Sequence, residues 1–300
     1  MEKFYEFVDN AGNFATPAGK ALGKSKPIPL SKLPDQLANV AATSGDQRFD
    51  KNTSAPVKVP VATLKPAQKE VIPEKALAFA LGFLKIGIPD LNNMEAIISN
   101  DTPNPYIMDG HHRWAAATLI NPNMEVGVYK VNMQAGPLIT ALNIYTKGAL
   151  KRQGNPGKGD ITQWKQLIPA AIDAAVKNGL HYWPLGSQED VNAGKAKIVG
   201  TPQEVQAILT KFGGGNLQAG IQKMKDNAQK LFTEKFPDAP ERIDMPVLNP
   251  NELKDVCTAI ANGKLDLVPP FNPEVKKLLP ELDKIVAEHV MRFSEFRTLR

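Results

Sequence analysis

Hydrophobic and polar positions along this chain follow three different patterns. Between about residues 57 and 131 the apolar positions come in short bursts: "VKVPVATL" (Val57–Leu64) alternates as a half-buried strand does. "MEAIIS" (94–99), Tyr106–Met108 and "EVGVYKV" (Glu125–Val131) are further short runs that read as strands. Between them, "EKALAFALGFLKIG" (Glu74–Gly87) is apolar nearly all round and stops at a glycine, as a buried helix does. Trp114–Leu119 reads as the opening turns of a second helix, and "GPLITALNIYTKGALK" (136–151) reads as a third. From about residue 160 onward the period is helical. Leu217, Ile221, Met224, Ala228 and Leu231 step by fours and threes, and so do Leu278, Leu282, Ile285, His289 and Phe293. Gly213-Gly214-Gly215 reads as the connector between two such helices.

Residues 1–58 show no sustained period and mix Gly, Ala, Pro, Asn, Ser and Lys, so they read as an extended N-terminal arm. Such an arm is disordered, or takes its order from its own body or from neighbouring subunits. The expected fold class is α+β: a small mixed sheet-and-helix domain at 59–150 followed by a mainly α-helical C-terminal domain at 151–300.

Composition narrows the function classes. Three hundred residues with 42% hydrophobic content can bury a substantial core. No apolar run approaches a membrane span, and "MEKFYEFVDNAGNFATPAGK" lacks the apolar stretch of a secretory signal, so no membrane partner is expected. The one cysteine, Cys257, excludes an internal disulfide and a cysteine-built metal site, which fits a cytoplasmic protein. The net charge of +5 comes from 36 Lys and Arg against 31 Asp and Glu, without a basic block, and argues weakly against nucleic-acid binding as the main function.

The chemistry concentrates in "YIMDGHHRWAAATL" (Tyr106–Leu119). A strand, an Asp109-Gly110 turn and a helix opening with His111, His112 and Arg113 put cationic side chains at a helix N-terminus. That end of a helix already carries partial positive charge, so an anion, most simply a phosphate, is expected there. Asp109 has a second reading as an ordinary N-cap. The adjacent histidines also have one as a metal pair, but consecutive helical side chains diverge by about 100° and no third ligand lies nearby in sequence. His181 and His289 read as packing or surface histidines. Lys147, Lys151, Arg152 and Lys158 lie among glycines in "TKGALKRQGNPGKGD". That segment closes over a phosphate, touches a nucleic-acid backbone, or is a solvated linker; its spacing is not that of a P-loop.

The order "LKPAQKEV", buried helix, strand, "DGHHRWAA", strand resembles the ParB/sulfiredoxin superfamily over roughly 59–150. In that family the turn holds nucleotide phosphates. His111 stands where sulfiredoxins carry their attacking cysteine, and the Glu-Arg-Arg of ParB partition proteins is absent. The D-G-H-H-R form is similar to that of free-serine kinases and of ParB-like nuclease proteins of phages and bacteria. The resemblance implies Asp109 as a base toward a substrate hydroxyl and Glu70 as an assisting carboxylate, with Glu74 as its alternative. It implies Gly110, His111, His112 and Arg113 as phosphate holders, with Gln68 and Lys69 beside them.

The activity expected is transfer or hydrolysis of a nucleotide's terminal phosphate, using Mg²⁺ with ATP or another nucleoside di- or triphosphate and an unidentified hydroxyl acceptor. The alternatives are a ParB-like nucleic-acid-binding protein or nuclease, and a structural or virion assembly protein that reuses the fold.

Overall fold

The computed structural model describes residues 26–37, 56–87, 94, 96–145, 159–180, 200–237, 239–241, 247–262, 265 and 275–289. In chain order these form β1 (Ile28–Pro29), β2 (Val57–Pro60), β3 (Lys65–Pro66), α1 (Pro73–Ile86), β4 (Ile97–Ile98), β5 (Tyr106–Asp109), α2 (His111–Ile120), β6 (Glu125–Lys130) and α3 (Ala135–Tyr145). The helices α4 (Trp164–Asn178), α5 (Pro202–Phe212) and α6 (Leu217–Ala228) follow, then β7 (Val247–Leu248), α7 (Pro250–Ala261) and α8 (Val275–His289). The class is mixed α+β, with a small mixed sheet and many helices. Among the described residues, no helix is long and apolar enough to cross a membrane.

The chain divides into two compact units that interleave along the sequence. One comprises 53–135 and 156–243, the other 1–52, 136–155 and 244–300. Helices α4 to α6 therefore share a unit with the strands at 57–130, whereas the linear reading separates them at 150.

The larger unit is built on a five-stranded sheet in the order β2-β6-β4-β5-β3. β2 with β6 and β4 with β5 are antiparallel, while β4 with β6 and β3 with β5 are parallel. The expected strand at 57–64 ends at Pro60, where the chain turns into a short 3-10 segment at Val61–Thr63 before pairing again at Lys65–Pro66. Proline has no N–H for a ladder and favours this exit. The run at 94–99 keeps only Ile97–Ile98 as a strand.

α1 starts with Pro73 in its first turn and ends at Gly87, whose φ of 85° is the left-handed C-terminal conformation that glycine supplies. α2 is buried along almost its whole length, and its Ala115-Ala116-Ala117 run lets α1 and α6 approach it closely. Trp114 is 1% exposed and donates its indole N–H to Val61 O at 3.1 Å. Asn227 of α6 satisfies the C-terminal carbonyls of α2, donating to Leu119 O (2.9 Å) and Ile120 O (3.0 Å).

The stripe at Leu217, Ile221, Met224, Ala228 and Leu231 packs on this core, with the last four positions buried. The glycine run at 213–215 joins α5 to α6 as expected. Gly220 lies so close to α5 that a Cβ there would stand 1.9 Å from Leu209 O.

In the other unit, Ile28 and Pro29 pair antiparallel with Leu248 and Val247, and Leu30, Leu33 and Leu37 are buried. This part of the expected arm thus takes its order from its own chain, while residues 1–25 and 38–55 lie outside the described residues. α7 and α8 pack together, with Cys257 buried and its thiol pushed up to about 12 by that burial. On α8, Leu282 and His289 are buried and Leu278 and Ile285 half-buried; Phe293 lies outside the described residues. His289 is a packing histidine here: its Nδ1 lies 2.8 Å from Ile285 O. Residues 146–158, with the four basic positions of the glycine-rich segment, and His181 lie outside the described residues.

Candidate functional site

β5 delivers Asp109 to the edge of the turn, and its carboxyl-bearing side chain is 62% exposed. Gly110 follows at φ 91° and serves as the N-cap of α2 without any side-chain cap. Asp109 is therefore not spent on capping, which separates two readings that the sequence leaves open. The absence of a Cβ at 110 is required by space as well as by φ. An added Cβ would lie 2.8 Å from Ala96 Cβ, because the segment leading into β4 passes directly beside the turn. The first helical hydrogen bond runs from Trp114 N–H to Gly110 O at 2.9 Å.

Arg113 sits in the first turn of α2, its side chain 29% exposed and its Nη2 3.8 Å from Asp109 Oδ2. That loose ion pair is a partial answer to a cation placed at the positive end of a helix. Asp109, Gly110 and Arg113 thus come together as a carboxylate and a guanidinium on either side of a close-approach glycine.

The two histidines tie the turn to the 67–72 loop. Both are buried, at 4% for His111 and 9% for His112. His112 Nε2 accepts the backbone N–H of Ile72 at 3.0 Å. His111 Nε2 accepts that of Ala67 at 3.0 Å, an N–H shared with Ile107 O at 3.2 Å. A nitrogen accepting an N–H bond cannot simultaneously donate to a phosphate oxygen. The two Nε2 atoms instead draw the 67–72 loop onto the turn, bringing together the "PAQKEV" and "DGHHR" segments that the resemblance pairs.

Within that loop the candidate side chains have partners of their own. Gln68 Nε2 donates to Glu70 O at 2.8 Å, and Lys69 Nζ lies 3.3 Å from Asp160 Oδ2. The loop's carbonyls reach further segments: Ile161 N–H donates to Lys69 O at 2.8 Å and Phe236 N–H to Pro66 O at 3.0 Å. Glu70 is 8% exposed, while Glu74 lies exposed in the first turn of α1, so Glu70 is the carboxyl carried by the loop.

Three titratable partners at this loop are not legible in the sequence: Asp160, Lys235 and Glu241. The hydrogen bond from Lys235 holds the Glu241 carboxyl below the usual carboxylate range. Burial opposes this, and a hydrogen bond with Glu70 adds to the lowering. Burial pushes the Asp160 carboxyl up. Hydrogen bonds from the Thr162 hydroxyl and N–H outweigh it, together with Lys69, and the net direction is downward. Asp160 in turn raises the Lys69 ammonium. Only the tertiary fold makes these residues neighbours.

No family model, no curated protein and no solved structure matches the chain.

Proposed function

We propose that the Asp109–Arg113 turn receives the terminal phosphates of a nucleotide, within a ParB/sulfiredoxin-like fold, and that the protein transfers or hydrolyses the last phosphate. The chief support is the exposed Asp109 carboxylate facing the half-buried Arg113 guanidinium across a glycine at φ 91° where α2 begins. Gly110 stands as N-cap at the positively polarised end of α2, where an anion is favoured. Arg113 offers a planar fork matched to phosphate oxygens.

In the proposed reaction an acceptor hydroxyl, or water, gives its proton to Asp109 as its oxygen bonds to the terminal phosphorus. The bond from that phosphorus to the bridging oxygen breaks, and the shortened nucleotide leaves with the electron pair. Arg113 stabilises the charge on the transferring group. Glu70, buried in the 67–72 loop, assists as the second carboxyl of the site. Gln68 and Lys69 stabilise the loop through Glu70 O and Asp160.

Among the described residues no group of three metal-ligating side chains gathers. A Mg²⁺ accompanying ATP or another nucleoside di- or triphosphate would draw on Asp109, phosphate oxygens and water, and would supply charge neutralisation. This donor set suits Mg²⁺, which keeps several waters when bound beside phosphates.

Phosphate release or transfer from ATP, ADP, CTP and GTP with Mg²⁺ tests the reading. At least one nucleotide is expected to turn over, and Asp109→Asn to lower that turnover by about 10²–10⁴-fold. Folded wild-type protein that turns over none of them, or an Asp109→Asn variant as active as wild type, would overturn it.

A further inference from the structure

We propose that His111 and His112 are positioning residues: neutral imidazoles whose Nε2 atoms hang the 67–72 loop from the first turn of α2. Consecutive helical side chains diverge by about 100°, so two adjacent histidines can grip two ends of one loop where a single residue could hold only one. The geometry fits this: His111 Nε2 takes Ala67 N–H and His112 Nε2 takes Ile72 N–H, each at 3.0 Å, bracketing Gln68, Lys69, Glu70 and Val71. Val71, fully buried, anchors the same loop into the core.

The donors are backbone amides, which have no acceptor role to exchange. Each accepting Nε2 therefore carries no hydrogen, and the proton of each neutral ring resides on Nδ1. The loop then passes the constraint outward. Lys69 O fixes Ile161, next to Asp160, and Pro66 O fixes Phe236, on the segment that carries Lys235 and Glu241. The clamp is thus the link that sets Glu70 and its partners against the Asp109–Arg113 turn. Its consequence for phosphate chemistry rests on the function proposed above; the clamp itself does not.

Nitrogen-15 NMR of the full chain reads the tautomer directly, and His112 is expected to show a bare Nε2 and a protonated Nδ1. Amide hydrogen exchange in the same sample reads the clamp at Ile72, whose N–H is given to His112 alone among the described contacts. His112→Ala is expected to speed Ile72 exchange by about tenfold or more while leaving Tyr129, bonded to Ala96 O at 2.8 Å in the sheet, at its wild-type rate. His112→Gln, whose Oε1 can replace the Nε2 acceptor, is expected to restore Ile72 to within about threefold of wild type. A proton on Nε2 of wild-type His112 would overturn the proposal, as would unchanged Ile72 exchange in His112→Ala. Should His112→Ala fail to fold, the wild-type tautomer and the glutamine variant still decide. None of these readouts uses a nucleotide, so the clamp and the phosphate reading fail separately.

Discussion

Gly110 is the residue on which the turn's geometry depends most. Its φ of 91° is strained for any L side chain, and an added Cβ would stand only 2.8 Å from Ala96 Cβ in the segment that runs beside the turn ahead of β4. Gly110→Ala is expected to cost about 1–3 kcal/mol, read as a lower urea midpoint, and to weaken any anion bound there. An unchanged midpoint would show that the turn relaxes without cost. The roles of neighbouring residues separate on the same scale. Asp109 is exposed and outside the cap, whereas His111 and His112 face inward and are engaged by backbone. Residue type alone does not give the direction of these side chains, which α2 and the 67–72 loop set.

At the scale of elements, the α5–α6 hairpin illustrates how closely the helical layer is packed. Gly220 faces the α5 backbone so tightly that a methyl group would overlap Leu209 O, at 1.9 Å. Gly220→Ala should therefore force the two helices apart and destabilise the fold by about 1–3 kcal/mol, seen as a depressed melting temperature; a neutral result would mean that the crossing is looser than described.

Elements with a strong period or a clear stop were legible beforehand. α1 ends at Gly87, α6 follows its stripe, and the strand-turn-helix around Asp109 lies where its flanks place it. Strands of two residues were not legible as such, since Lys65–Pro66 or Val247–Leu248 is too short to carry a period and exists through its partner. The same limit applies to the site. Asp109, Gly110 and Arg113 are local in sequence, but Asp160, Lys235 and Glu241 join the loop only through long-range contacts that no spacing rule encodes.

Across the whole molecule, the carboxylates around the loop should leave a signature in acid. Asp160 and Glu241 lie below their ordinary values in the folded chain, so the unfolded chain binds more protons once the pH falls below about 4.5. Their stabilisation is complete above that pH and is lost as the pH drops through the folded values. Lys69, raised by Asp160, contributes in the opposite sense: fully below its ordinary value and lost only in strong alkali. The urea midpoint of Asp160→Asn should therefore fall less steeply than that of wild type between pH 5 and pH 3, about one unit either side of the Asp range. Parallel curves would contradict the assignment of Asp160 to this network.

The central claim, that the turn is built to receive phosphate, is tested most directly by equilibrium binding of nucleotide with Mg²⁺ to wild type and to Arg113→Ala of verified fold. Removing a guanidinium that holds a phosphate should weaken affinity by about tenfold or more, as for other charge-assisted hydrogen bonds. Equal affinity in the two proteins, or no binding by folded wild type to any nucleoside di- or triphosphate, would contradict the account.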